Sequence, residues 1–276
     1  MMSLIPPRWV RPSSYLKMPA GCLTTLAVAL VCVHRTLAGA APPPDLNQTR
    51  LATADNLYEQ RTDLSKAQKG VQILHDVIAQ DPNSFDAWWR LARLNNFVGR
   101  QQDDRNDDKN AIRSFEAGVD AGRHAVSLQP NRVEGHFWLG ANYGLLAEEQ
   151  GWMKGLRLID TIRAEMQTVV RLDPNYEEAA GERTLARLYY RAPFFKGGDK
   201  QRSIELLEDC LRRFPTDSFS LLYLGDDYLA VGRRGEARRL YQQVLSLAPD
   251  PAHEPELAEN QNEARQRLQQ QFREGK

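Results

Sequence analysis

The side chains able to do chemistry are few, and their spacing suits no reaction. Beyond residue 40 the histidines are His75, His124, His136 and His253, and the single cysteine is Cys210. None of the histidines has the His-Glu-x-x-His spacing of a helical zinc site, and none stands at a zinc-site interval from a cysteine. His124 and His136 are nearest in sequence but fall on separate expected helices. Cys210 occupies a small interior position with no base indicated beside it, so it reads as a compact hydrophobe. Asp104, Asn106 and Asp108 imitate the start of a calcium loop. The sixth position, however, is Lys109 instead of Gly and the twelfth is Phe115 instead of Glu, which removes the sharp turn and the bidentate ligand. No glycine-rich phosphate loop follows a strand, because no strand pattern occurs. The expectation is a chain without catalytic residues, metal or cofactor.

Binding is better served. A four-residue step keeps side chains on one side of a helix, and such rows contain Trp89, Arg93 and Phe97, then Phe137, Ala141 and Leu145. The next rows are Arg183, Arg187 and Arg191, then Leu222, Asp226 and Ala230, with Asn96 and Tyr190 adjacent to their rows. Arginines four apart on a helix repel by roughly 0.2–0.5 kcal/mol, so three in succession need water or acidic company. Two accounts stand. In one, Arg187 pairs with Asp226, which holds the matching position in the following row. In the other, Arg183, Arg187 and Arg191 receive the carboxylates of a bound segment, while Trp89, Phe97 and Phe137 hold its apolar part.

The elements that carry these rows are announced by prolines. Asp81-Pro82-Asn83, Gln129-Pro130-Asn131, Asp173-Pro174-Asn175, Phe214-Pro215-Thr216 and Ala248-Pro249-Asp250 each follow an amphipathic segment. Proline disfavours helix in the residue before it, and the Asn, Thr or Asp behind it can cap the next helix. The intervals between these prolines are 48, 44, 41 and 34 residues. In the last interval Leu221, Leu224-Gly225, Tyr228 and Gly232 are followed by Ala237, Tyr241, Val244 and Pro249. Small residues there let paired helices approach, and large ones fill the space toward the next pair.

That pattern resembles the tetratricopeptide-repeat (TPR) family, and its weaker forms extend over most of residues 50–275. The resemblance implies an all-α, right-handed α-solenoid of about five antiparallel helix pairs, with a C-terminal capping helix. It also implies that the first helix of each pair lines a concave face, which places the binding rows in a groove. The longer intervals are expected to lengthen the hairpins or enlarge their turns. Residues 51–253 form the repeat domain, and 254–276 the capping helix, with its apolar stripe of Leu257, Ala264, Leu268 and Phe272. Pro193 and Gly197-Gly198 mark a turn expected to tuck Phe194-Phe195 beneath the solenoid. Residues 160–250, through Met166, Asp173-Pro174-Asn175-Tyr176, Gly181 and the Phe194-Phe195 turn, also resemble the T component of TRAP-type transporters. That second likeness implies an accessory transport protein sheltering an apolar solute, although this chain lacks the lipid-anchor cysteine of that family.

The amino terminus reads as an address. Arg8, Arg11 and Lys17 precede an apolar run, Cys22 to Val33, and small residues close the segment at Ala38 and Ala40. This order is that of a secretory signal peptide cleaved after Ala40, and the run is shorter than the about 20 residues that a membrane-crossing helix needs. Residues 41–50 read as a proline-rich tether. Residues 1–40 hold four basic groups and no acid, which leaves 32 basic against 36 acidic groups in the remainder. A mildly acidic body lacks the electrostatic footprint of a nucleic-acid binder. The expected partners are a protein or peptide, with a second copy of the chain kept among the candidates, and no membrane span after cleavage. The expected address is periplasmic or secreted.

Overall fold

The computed structural model describes residues 46–249 and 254–272. The expected signal peptide and its cleavage point lie outside them. The described residues form eleven α-helices: α1 Leu46–Glu59, α2 Leu64–Gln80, α3 Phe85–Asp103, α4 Asp108–Leu128, α5 Val133–Glu149, α6 Trp152–Leu172, α7 Ala180–Arg191, α8 Lys200–Arg213, α9 Ser218–Ala230, α10 Arg234–Ser246 and α11 Glu254–Gln271. A single 3₁₀ turn, Phe194–Lys196, lies between α7 and α8. Among the described residues no helix is long and apolar enough to cross a membrane.

Neighbours in sequence pack as neighbours in space, so α1/α2, α3/α4, α5/α6, α7/α8 and α9/α10 form five antiparallel pairs stacked in order. The expected all-α repeat architecture is therefore what the chain adopts. Helices α3 to α6 run 17 to 21 residues where α9 and α10 each have 13. The extra residues of the early repeats thus extend both helices of a pair. Helix α1 starts at Leu46, inside the stretch assigned to the tether. Leu51 and Ala54 account for this, because both are buried and a helical turn is needed to deliver them to the core with α2.

The turns show how the prolines work. Asp81 Oδ1 accepts from the Asn83 backbone N–H at 3.1 Å, and Asp173 Oδ1 from that of Asn175 at 2.9 Å. The Asp-Pro-Asn signature thus closes an Asx turn. Capping falls one residue further on than expected at two turns: Ser84 caps α3 and Asp217 caps α9. Asp199 caps α8, as its place after Gly197-Gly198 predicts.

Buried side chains form three contiguous clusters along the stack, around Leu74 and Leu94, around Phe115 and Met166, and around Leu207, Tyr241 and Val244. Cys210 is fully buried, and burial pushes its thiol up to about 11, which leaves it without nucleophilic character at neutral pH. Buried polar groups tie the repeats together. The Asn142 amide donates to the Ala92 carbonyl at 3.1 Å and to that of Trp138 at 2.7 Å, and Ser203 Oγ donates to the Ala186 carbonyl at 2.8 Å.

His136 pins α5 to α6 and to the turn before α5. Its Nδ1 lies 2.6 Å from Glu165 Oε2 and its Nε2 lies 2.9 Å from the Pro130 carbonyl. Both neighbours are acceptors, so the ring satisfies them together only when it is doubly protonated. The Glu165 contact raises the pKa most; burial opposes it and the Pro130 carbonyl adds to it. A raised folded pKa stabilises fully below the ordinary histidine value and is lost as pH climbs through the folded value. Urea unfolding of His136→Gln should therefore show a deficit of about 1–2 kcal/mol at pH 5.5 that shrinks by pH 8.5. An equal deficit at both pH values would remove the charge from this account.

Candidate functional site

The inner helices α3, α5, α7 and α9 wall a concave cavity of about 960 Å³. Its apolar surface comes from Phe97, Phe137, Leu145, Ile159 and Leu188, and its polar surface from Asn96 and a series of arginines. Asn96 lines this space and is 6% exposed, and its amide nitrogen is buried without a hydrogen-bond partner. Just before α7, Glu177, Glu178 and Ala179 all have positive φ, at 46°, 56° and 63°. Three consecutive non-glycine residues in the left-handed region cost roughly 1–2 kcal/mol each, and strain of this kind gathers at working surfaces. Glu177 and Glu178 both line the cavity.

The arginines are held by acids of the wall itself. Arg93 pairs with Asp55 at 2.6 Å, Arg183 with Asp217 at 2.8 Å, Arg187 with Asp226 at 3.2 Å and Arg191 with Glu148 at 3.6 Å. Asp226 also accepts from Tyr241 Oη at 2.9 Å and from Arg267 Nε at 2.6 Å, so one carboxylate joins α7, α9, α10 and α11. Tyr58 lies between two guanidinium planes, with Arg93 3.9 Å and Arg61 4.3 Å from its ring centroid.

Helix α11 closes the open side. Its Ala264, Leu268 and Phe272 join the core cluster of Tyr241, as the apolar stripe predicts of a capping helix. Its other face turns into the cavity. Glu256 accepts from Arg61 Nη2 at 2.7 Å and Nε at 3.2 Å, Glu259 pairs with Arg100, and the Asn260 amide donates to Ser218 Oγ at 2.9 Å. The last helix thereby reaches the turn between α1 and α2 and the end of α3.

With this geometry in view, the comparisons are informative. The backbone is similar to a thermophilic TPR protein, TTC0263 of Thermus thermophilus, with a TM-score of 0.58 at 18% identity, covering 80% of this chain and 99% of that one. PilW, a type IV pilus biogenesis factor, superposes at 0.52 with 16% identity over 85% of this chain and 97% of its own. Pseudomonas aeruginosa PilF does so at 0.50 with 14% identity over 83% and 93%. The chain has a TPR-like helical-repeat fold. The profile of the family "RMD1-3: Regulator of microtubule dynamics protein 1-3" matches residues 50–181. No curated protein matches the sequence. The comparisons lend no support to the transporter-component likeness.

In this TPR-like chain the cavity gathers Arg93, Asn96, Phe97, Phe137, Arg183, Arg187 and Arg191 of the expected binding row. Trp89 and Tyr190 are outside it. Trp89 lies against Arg90 and Arg93 and donates to Asp86 Oδ1 at 3.2 Å, while Tyr190 faces Arg187 and Lys200. On α9 the lining residues are Ser218, Phe219 and Tyr223; Leu222 of the expected row is buried in the core. Of the two accounts of Arg187, the pairing with Asp226 is the one present. Residues that the helical rows missed are Tyr58, Arg61 and Arg100, and the α11 carboxylates Glu256, Glu259 and Glu263. The acidic spacing on α11 was readable, but the apolar stripe alone defines a capping helix.

The Phe194-Phe195 turn corrects another expectation. The two rings are 92% and 74% exposed instead of tucked away. Lys196 Nζ lies 2.8 Å from Asp160 Oδ2, and Arg163 donates to the Lys196 carbonyl, so the turn is tied to α6 by its polar groups while the rings face out. Gly198 permits this path, since a Cβ there would lie 1.9 Å from the Ala192 carbonyl oxygen. At the acidic turn, carboxylate oxygens of Asp103, Asp108 and Glu149 lie within 4.8 Å of one another. Burial, followed by mutual repulsion, raises the pKa values of Asp103 and Glu149.

Proposed function

We propose that this chain is an exported, non-catalytic scaffold that seats a protein or peptide segment in its concave cavity. The observation that carries the proposal is the cavity wall. It joins an apolar floor of Phe97, Phe137 and Leu145 to an unpartnered buried amide at Asn96. Such a combination suits an apolar anchor with one backbone or side-chain acceptor beside it. The basic, apolar and small-residue order of residues 1–40 supports export. A non-catalytic role is supported by the chemistry of the wall. Its arginines Arg93, Arg183 and Arg187 are paired with acids of the same chain, and the Cys210 thiol is buried and protonated.

Photo-crosslinking in intact cells tests this reading. A crosslinking residue at Ala141, on the cavity wall, should yield a discrete adduct with a polypeptide, whereas one at the exposed Asp120 on α4 should not. Gly144→Trp fills the cavity from a position where an added Cβ meets nothing within 4 Å. It should reduce the Ala141 adduct at least tenfold and leave the melting temperature within a few degrees. Adducts that persist in Gly144→Trp would reject the cavity as the seat. A small molecule retained by the purified chain and displaced by the same substitution would reject a polypeptide as the occupant.

A further inference from the structure

We infer that α11 is the resident ligand of this groove, and that the partner presents an acidic amphipathic helix which takes its place. The inference rests on the reading of the cavity as a partner seat and adds the identity of the recognition element.

Helix α11 is divided in its attachments. Its carboxyl-terminal half is anchored through Ala264, Leu268 and Phe272 and through the Arg267–Asp226 pair at 2.6 Å. Its amino-terminal half is held differently. The helices that α11 packs against are α10 and α9, and it reaches the first two repeats through side chains alone. Those side chains form a repeating pattern: Glu256, Leu257, Glu259, Asn260 and Glu263 all line the cavity. The spacing places three carboxylates, one amide and one buried leucine on a single helical face. The receiving surface is complementary: Arg61 and Arg100 take the carboxylates of Glu256 and Glu259 and Ser218 takes the amide, while Glu263 pairs with Arg267 of α11 itself. Peptide grooves that accept a helix are read through the same one- and two-turn spacing.

Two features mark the seat as exchangeable rather than permanent. Burial pushes Glu259 above the usual carboxylate range, and Arg100 only partly draws it back, so burying this pair carries a desolvation cost. Beneath α11 the cavity still measures about 960 Å³, and Asn96 on its wall keeps a buried amide nitrogen without a partner, so α11 leaves the groove incompletely filled. A partner helix with the same acidic face and a longer apolar side chain would fill that space.

The test uses the full-length protein and a fluorescein-labelled synthetic peptide of residues 254–272. In Glu256→Gln/Glu259→Gln the ion pairs to Arg61 and Arg100 are lost while the groove is intact. Asn260→Pro breaks the helix in the seat, so α11 leaves whether or not the ion pairs govern it. Fluorescence anisotropy should show the peptide binding at least tenfold more tightly to both variants than to the unaltered chain. A peptide with Glu256, Glu259 and Glu263 all replaced by Gln should lose at least tenfold of that affinity. Equal binding to variant and unaltered chains would overturn the inference, as would absence of binding to Asn260→Pro or indifference to the peptide's charge. Should the Ala141 crosslink and its loss in Gly144→Trp still be observed, the cavity remains a partner seat and only α11 mimicry falls. Should the crosslink fail while the peptide binds, the partner-seat reading falls instead.

Discussion

Asparagine at two adjacent positions should move stability in opposite directions: Asp226→Asn lowers it and Asp227→Asn raises it. The Asp226 side chain is 12% exposed and accepts from Arg187, Arg267 and Tyr241. Removing its charge leaves two mostly buried guanidinium groups facing each other across the α7–α11 junction, at a cost of about 2–4 kcal/mol. Because Arg267 is a main anchor of α11, hydrogen exchange in α11 should speed up in the same variant. Asp227, by contrast, is 1% exposed, about 100° further round α9. Burial pushes its carboxyl up to about 7, with Ser203 and Arg187 offsetting only part of the effect.

The sign of the Asp227 effect follows from proton linkage. In the unfolded chain this carboxyl loses its proton near pH 4, whereas in the folded chain it keeps the proton to about pH 7. Between those values the folded state binds the extra proton, so stability declines as pH rises through the window and is flat above it. The full span corresponds to up to about 4 kcal/mol. Asparagine retains the shape and cannot ionise, so Asp227→Asn should gain on the order of 1–3 kcal/mol at pH 8 and little at pH 4.5. Urea titrations of both variants at the two pH values check this. Loss of stability in Asp227→Asn at pH 8 would show that the carboxylate is needed in its charged form.

The contrast between neighbouring aspartates shows where sequence reading reaches its limit. Repeat boundaries were legible because proline acts on its immediate neighbour through sterics, and Asp-Pro-Asn closes its turn locally. Gly225 of the last repeat, packed against Tyr241, was legible from its place in the repeat pattern. The groove was harder. A four-residue step turns a helix by 400°, so each step drifts about 40° from the face where the row began. Over two steps that drift takes Trp89 out of the cavity while Phe97 remains, and on α9 it moves the lining to Phe219 and Tyr223. The partners of Arg61 and Arg100 were out of reach of any local rule, since Glu256 and Glu259 come from the far end of the chain. Their charge and spacing on α11 are visible in the sequence, but nothing in the pattern says which arginines receive them.

A second pair of substitutions tests whether helix propensity or helix approach governs the middle of the stack. Alanine is favoured over glycine inside a helix by about 1 kcal/mol, so by propensity Gly122→Ala and Gly144→Ala should both stabilise. The geometry separates them. A Cβ on Gly122 of α4 would sit 2.8 Å from Leu139 Cα and 2.9 Å from Leu139 Cβ, both on α5. A backbone atom cannot rotate aside, so α4 and α5, helices of 21 and 17 residues, must part. Overpacking of this kind costs typically about 1–3 kcal/mol, which exceeds the gain in propensity. At Gly144 the added Cβ meets nothing within 4 Å and projects into the cavity. Gly122→Ala should therefore lose about 1–2 kcal/mol net, and Gly144→Ala should gain about 0.5–1 kcal/mol. Parallel thermal and urea melts followed by circular dichroism would measure both. A stabilised Gly122→Ala would mean that α4 and α5 stand further apart than the packing of Gly122 on Leu139 requires. The floor of the groove, built on that contact through Asn142 and Phe137, would then be looser than the partner seat demands.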